Sequence, residues 1–140
     1  MTERAHATTV AIGGRGVMLR GRSGTGKSDL ALRLIDRGAI LVSDDYTEVT
    51  AIDGIVTARA PATIAGKIEI RGVGIVAMPH RDDVPVALVV RLDAPIERLP
   101  EQATETMAGI ALPVLSLDAF EASAAIKVEI ALARLVEGEP

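Results

Sequence analysis

The chain has 140 residues, of which 49% are hydrophobic and 24% charged, with a formal net charge of −4; this length suits one domain with a single core, and the balance of charges argues against a nucleic-acid partner. Because cysteine is absent, disulfides, thiol catalysis and thiolate metal sites are excluded. With no signal-peptide pattern and no apolar run of about 18 residues, we expect a soluble, cytoplasmic protein without a membrane contact.

The first segments predict a hairpin that leads into a loop and a helix. The β-branched run TTVAI (8–12) and the glycine-rich turn after it predict a hairpin whose second strand is VMLR (17–20). Apolar residues at helical spacing predict a helix over 27–37. The run AILVS (39–43) is typical of a buried parallel strand.

The middle of the chain is rich in predicted strands. Asp53-Gly54, between TEVTAI and IVTARA, is a strong signal for a type I′ hairpin turn. The segment KIEIRGVGIVAM (67–78) is predicted to be extended with a glycine kink, and VALVVRL (86–92) is predicted to be another buried strand.

The last third gives a weaker pattern. Residues 94–109 are mixed and give no clear prediction, whereas IALPVL (110–115) indicates a strand. Asp118 and Glu121 resemble a capping box for a final Ala-rich helix that ends near residue 136. Because the core must be almost entirely aliphatic, we expect a single α/β domain with helices packed on a mostly parallel sheet.

Residues 21–28, GRSGTGKS, lie between the predicted strand VMLR and the predicted helix. They match the pattern G-x-x-x-x-G-K-[ST], whose glycines let successive N–H groups face an anion at a helix N-terminus. We therefore predict a phosphate-binding loop. Lys27 is expected to reach the β- and γ-phosphates, and the Ser28 hydroxyl is expected to hold Mg²⁺.

Two carboxylates, Asp44 and Asp45, directly follow the predicted strand AILVS. A right-handed strand–helix–strand crossover would place this strand parallel to the P-loop strand, so both would end at the ligand-binding edge of the sheet. Either aspartate could hold Mg²⁺ or accept a proton from an attacking hydroxyl. Asp93, at the end of VALVVRLD, is a rival for the metal. Glu69 and His6, taken alone, carry no functional signal.

Together, the segments GRSGTGKSDLALRLIDRGAILVSDD and IEIRGVGIV closely resemble the catalytic domain of the HPr kinase/phosphorylase family. That family has a P-loop of the form G-x-S-G-x-G-K-S, then an Asp-Asp pair, then a signature like L-E-I-R-G-x-G-I. The resemblance covers residues 6–78 and is weak beyond them. It implies one P-loop kinase catalytic domain over residues 1–140, an α/β fold with a mixed sheet and flanking helices.

The resemblance also implies catalytic roles. Asp44 corresponds to the catalytic aspartate, which takes the proton from a serine hydroxyl of HPr, and Lys27 would stabilise the transferring charge. His6 corresponds to the active-site histidine. Arg98, in IERLPE, is loosely similar to the arginine of a D-R-L-G motif. Because a shielded carboxylate is the better base at neutral pH, we expect Asp44 to be partly buried with polar partners.

For the ligands, the resemblance implies ATP and Mg²⁺. Ser28 and Glu69 would hold the metal, with Asp45 as a further candidate ligand. The nucleotide phosphates would be bound by the whole loop: Gly21, Arg22, Ser23, Gly24, Thr25, Gly26, Lys27 and Ser28.

The implied activity is an ATP-dependent kinase for HPr, the carrier of the phosphotransferase system, or for a nitrogen-type HPr paralogue, in a homo-oligomer that is a hexamer in the family. The family's P-V-x-P-G-R-N stretch, linked to dephosphorylation, is absent; the corresponding region reads LPVLSLDAFEAS. The kinase half of the pattern is therefore complete, and the phosphorolytic half is not. A non-catalytic nucleotide sensor and a small-molecule kinase are the alternatives.

Overall fold

The computed structural model describes residues 1–138, which form ten strands and two helices. In chain order the elements are β1 (Thr2–Ile12), β2 (Arg15–Arg20), α1 (Lys27–Asp36), β3 (Ile40–Ser43), β4 (Tyr46–Ile52), β5 (Ile55–Arg59), β6 (Lys67–Ile70), β7 (Gly74–Ala77), β8 (Val84–Arg91), β9 (Ala103–Met107), β10 (Ile110–Ser116) and α2 (Ala124–Val136).

A ring of paired strands organises the main sheet. β2, β1, β4, β5 and β8 are each paired with the next, and β8 pairs back with β2. The ring closes because β1 and β8 each change partners along their length: the first half of β1 pairs with β4 and its second half with β2 and β3. β10 and β9 extend the sheet beyond β8, while β6 and β7 form a separate hairpin.

The hydrophobic core lies on both faces of this sheet. Strand β2 shows the division, because Val17 and Leu19 face one cluster and Met18 faces the other, as the two-residue period of a strand requires. Both helices lie on the first of these faces, where Leu30 and Leu34 of α1 join the cluster. All of these side chains are aliphatic, and α1 is held directly against β1, β2 and β3.

Four strands end at one edge of the sheet. β2, β8 and β10 are mutually parallel, and β3 runs in the same direction because both β2 and β3 are antiparallel to β1. Across the sheet at the level of these strand ends, the order is β3, β1, β2, β8 and β10. Of these five strands, β1 runs in the opposite direction. The expected direction of β3 relative to the P-loop strand is therefore confirmed, although β1 lies between them.

Several sequence predictions are confirmed and others are corrected. The first hairpin and α1 are confirmed, and positive φ angles at Asp53 (53°) and Gly54 (78°) fit the type I′ turn. The expectation of a mostly parallel sheet was wrong, because short hairpin connections make most neighbours antiparallel. Residues 67–78 form two strands rather than one kinked strand, and β9 lies in the segment that gave no clear prediction.

The predicted capping box was also wrong. Helix α2 begins at Ala124, whereas Asp118 Oδ1 accepts a hydrogen bond from the N–H of Phe120 and so closes a turn before the helix. Glu121 is paired with Lys127 through its side chain and does not reach back to the predicted cap. Within residues 1–138, neither helix has the length and apolar character needed to cross a membrane.

Candidate active site

The loop between β2 and α1 depends on two of its glycines, Gly21 and Gly26. A Cβ atom at Gly21 would lie 2.5 Å from Thr25 Oγ1, and that hydroxyl donates a hydrogen bond of 2.7 Å to the carbonyl of Arg22. Gly26 has a φ of 92° and stands at the N-terminus of α1. Both glycines are therefore required by the shape of the loop.

Lys27 places its ammonium group inside this loop. The residue is 7% exposed, and its Nζ donates hydrogen bonds to the carbonyls of Gly21 (2.7 Å) and Arg22 (3.2 Å). Phosphate oxygens can replace these carbonyls as acceptors, since they bind an ammonium group more strongly than neutral oxygens do. The loop thus presents a positive charge and a helix N-terminus to the same volume.

Asp93, the predicted rival for the metal, is attached to the beginning of the loop. Its Oδ2 accepts a hydrogen bond of 3.1 Å from the N–H of Arg22, and its side chain is only 12% exposed. Arg91 lies beside it, with Nη2 3.6 Å from Oδ1. The carboxylate at the end of β8 therefore braces the P-loop in this structure.

Asp44 lies at the end of β3 and is 8% exposed. Its Oδ1 accepts hydrogen bonds from the hydroxyls of Ser28 (2.7 Å) and Thr8 (3.2 Å), and its Oδ2 accepts one of 2.9 Å from the N–H of Glu69. The expectation of a buried, polar-bonded carboxylate is confirmed. One side chain thus connects β3, β1, the P-loop helix and β6.

Asp45, the next residue, points to a different environment. Its φ of 69° is in the left-handed region, and its Oδ1 lies 2.9 Å from His6 Nε2. Both side chains are substantially exposed, at 58% for Asp45 and 40% for His6. The ring of Tyr46 stacks on the imidazole with 5.1 Å between centroids. The structure therefore pairs Asp45 with His6 and pairs Ser28 with Asp44.

The two residues predicted to hold a metal, Ser28 and Glu69, lie on different elements. Ser28 supplies a hydroxyl from α1, and Glu69 lies on the exposed face of β6, with its N–H on Asp44. Hydroxyl and carboxylate oxygens suit Mg²⁺. In residues 1–138 no three His, Asp or Glu side chains gather as a metal site. A Mg²⁺ ion here would therefore take most of its ligands from phosphates and water, as is usual for this ion.

The remaining predicted site residues are less closely joined to this cluster. Ser23 and Gly24 lie on the exposed crest of the P-loop. Arg98 lies in the exposed connection between β8 and β9, and within residues 1–138 it makes no hydrogen bond or ion pair with the other predicted site residues. Its role stays a prediction.

Thr8, which no sequence pattern singles out, is fully buried. Its hydroxyl donates to Asp44 and accepts a hydrogen bond of 3.0 Å from the N–H of Asp45, so it connects the two aspartates. One signal was available: Thr8 follows His6 by two residues. Because residues i and i+2 of a strand share a face, Thr8 is expected on the same side of β1 as His6. A threonine inside a β-branched strand, however, needs no function to explain it.

Comparison with known proteins places this arrangement in a family. The family described as "HPr Serine kinase C-terminal domain" matches residues 1–133. HPr kinase/phosphorylase of Clostridium novyi is 42% identical over 76 residues, which is 54% of this chain and 25% of that protein. The Clostridium beijerinckii protein of the same name is 44% identical over 73 residues, covering 52% of this chain and 24% of that protein. The matches thus span about a quarter of the length of these curated relatives.

A solved structure extends the similarity to nearly the whole chain. The Hpr(Ser) kinase/phosphatase from Coxiella burnetii superposes with a TM-score of 0.81 at 26% sequence identity, over 96% of both chains. The predicted α/β fold with a mixed sheet and helices is confirmed, although both helices lie on one face of the sheet.

Proposed function

The chain belongs to the family of the HPr serine kinase C-terminal domain, and on that premise we propose that it is an ATP-dependent protein kinase that phosphorylates a seryl hydroxyl of HPr. The observation that carries the proposal is Asp44, a buried carboxylate held by the P-loop hydroxyl of Ser28. A carboxylate beside a P-loop hydroxyl can hold Mg²⁺ or take a proton, and membership of a kinase family favours the second role for Asp44.

The acceptor positions of Asp44 support its role as the base. A carboxylate has about four acceptor positions, two on each oxygen. In Asp44, the hydroxyls of Ser28 and Thr8 use both positions on Oδ1, and the N–H of Glu69 uses one position on Oδ2. The second position on Oδ2 has no partner within residues 1–138. We propose that it takes the seryl proton while the seryl oxygen bonds to the γ-phosphorus and the bond to the β-phosphate oxygen breaks, releasing ADP.

Charge neutralisation is proposed for the other members of the site. Lys27 would exchange its carbonyl partners for the β- and γ-phosphate oxygens, supported by the N–H groups of residues 21–28. Ser28 and Glu69 would hold Mg²⁺, which when bound neutralises the charge that develops on the phosphates. Phosphoryl transfer depends on such positioning and electrostatics more than on covalent catalysis.

His6 and Asp45 are proposed to line the entrance used by the protein substrate. Both are exposed and fixed to each other and to Tyr46, so they present a preformed polar surface beside the base. The substrate is proposed to be HPr or a nitrogen-type paralogue. In the reverse direction inorganic phosphate would attack phosphoserine; the kinase direction is proposed as the main one because the P-V-x-P-G-R-N stretch is absent.

A homo-oligomer, with a hexamer as the expected form, is part of the same proposal, as is a location in the cytoplasm where ATP is available. The oligomer is supported by two exposed apolar side chains on α2, Ile126 (44% exposed) and Ile130 (55%), which lie one helical turn apart. Light scattering on the purified protein measures the mass directly, with Ile130→Glu as the variant that should dissociate the assembly.

The decisive experiment measures transfer of labelled γ-phosphate from ATP to purified HPr. Transfer to HPr that vanishes when the acceptor serine is replaced by alanine supports a seryl kinase. A Lys27→Met variant is the matched control for contaminating kinases and should be inactive. ATP binding by the wild-type protein without transfer to either HPr paralogue would replace the kinase with the nucleotide sensor.

A further inference from the structure

The two aromatic residues of this chain both lie outside its aliphatic core, beside the candidate active site. Tyr46 stacks on His6, and Phe120 contacts the P-loop. A Cβ atom at Gly26 would lie 3.3 Å from Cε1 of the Phe120 ring, so the ring lies against the backbone at the start of α1. Phe120 is nevertheless 69% exposed. An aromatic ring in this position leaves most of one surface available to a ligand.

The segment that carries Phe120 is held in place by several hydrogen bonds. Asp118 Oδ1 accepts a bond of 2.9 Å from the N–H of Phe120. Arg33, on α1, donates to the carbonyls of Ala119 and of Glu121, the latter at 3.2 Å, and its own Nε is held by Asp29 at 3.1 Å. The backbone that carries the exposed ring is thus held against the P-loop helix.

The order of strands along the sheet edge gives the direction of a bound nucleotide. Ser28 and Asp44, the proposed metal ligand and base, lie on the β3 side of the P-loop. The γ-phosphate must lie near them, because the base has to reach the oxygen that attacks it. The nucleoside end of the nucleotide must then leave the loop toward β8 and β10, and residues 117–121 directly follow β10 on that side.

We propose that Phe120 is the stacking platform for the purine base of the nucleotide whose phosphates occupy residues 21–28. This inference rests on the proposed nucleotide-dependent function and adds the base-binding part of the site. Stacking on an aromatic ring tolerates any purine, so Phe120 contributes affinity, and discrimination between adenine and guanine is not expected from the ring itself.

The test compares a nucleotide with its phosphate chain alone. Removing an aromatic stacking partner typically weakens binding by about 10-fold or more, so Phe120→Ala should raise the Kd for ATP by that factor. It should leave the Kd for inorganic tripolyphosphate unchanged, because that ligand has no base. Ile52→Ala, which shortens a similarly exposed side chain (65%, against 69% for Phe120) at the end of β4, is the control and should change neither Kd.

A second variant tests the contact directly. The chain contains no tryptophan, so Phe120→Trp introduces a single fluorophore. ATP should quench its emission and tripolyphosphate should not, and the variant should bind ATP as tightly as the wild type.

The outcomes separate this inference from the kinase proposal. An unchanged Kd for ATP in Phe120→Ala, or an equal loss for ATP and tripolyphosphate, overturns the stacking role and leaves the kinase proposal intact. A wild-type protein that binds tripolyphosphate and ATP equally also overturns it. Failure of the wild type to bind ATP at all would instead remove the proposed function.

Discussion

Asp44 and Asp45 are neighbours in the sequence, yet the structure places them in two different halves of the site. The inner half consists of Asp44, Thr8 and Ser28, with a carboxylate that is almost completely buried and receives three hydrogen bonds. The outer half consists of Asp45, His6 and Tyr46, and its carboxylate is 58% exposed.

The difference follows from the backbone at the end of β3. Asp45 has a positive φ, which kinks the chain between β3 and β4, two strands that both run antiparallel to β1, and turns its side chain away from Asp44. A carboxylate surrounded by fixed donors in a dry site can act on a proton at a defined position, whereas an exposed pair is weakened by water and salt. This difference in burial is why we propose that the inner half carries the chemistry and the outer half contacts the protein substrate.

The largest effect should come from Asp44→Asn. The amide keeps the size of the side chain but cannot accept a proton, so phosphoryl transfer to HPr should fall by about 10²- to 10⁴-fold. The Kd for ATP should change little, because the P-loop remains. Initial rates and equilibrium binding measure the two quantities. Asp45→Asn is the matched control and should keep transfer within about tenfold of the wild type; equal losses would contradict the division of the site.

Thr8→Val should give the next largest effect. Valine has the same shape but lacks the hydroxyl that holds Asp44, so kcat should fall by about 10-fold while the Kd for ATP is retained. Loss of the acceptor for the N–H of Asp45 should also cost about 1 kcal/mol of unfolding free energy. Thr8→Ser keeps the hydroxyl and should recover most of kcat. If serine recovers nothing, Thr8 contributes only through packing.

Glu69→Gln addresses the metal. If Glu69 holds Mg²⁺, the Mg²⁺ concentration that gives half-maximal ATP binding should rise by about 10-fold, since a neutral amide is a weaker ligand than a carboxylate. Asp45→Asn should leave that concentration unchanged because its carboxylate is engaged with His6. A rise in the Asp45 variant alone would show that Asp45 is the ligand and Glu69 is not.

The smallest effect is expected for the stability of the outer half. His6→Ala removes an exposed hydrogen bond to Asp45 and one exposed ring stack, which together should contribute less than about 1 kcal/mol to the free energy of unfolding. Urea denaturation measures this value. A larger loss would mean that the outer half supports the fold as well as the proposed entrance.

Much of the fold and of the inner half was predictable because short-range patterns encode them. The GRSGTGKS motif, the helical spacing after it and the Asp53-Gly54 turn each depend on neighbouring residues only, and each appears where predicted. The mostly parallel sheet and the capping box were wrong for the opposite reason. Strand partners and helix starts depend on distant segments, as in the closing of β8 onto β2.

The sequence by itself determined the P-loop, the order of its flanking elements and the presence of two carboxylates after β3, because these follow from local backbone preferences and periodicity. Only the tertiary structure decided that Thr8 joins both carboxylates and that Phe120 lies against Gly26. These contacts join residues separated by roughly 36 to 94 positions, and such contacts are fixed only when the sheet brings its carboxyl ends to one edge.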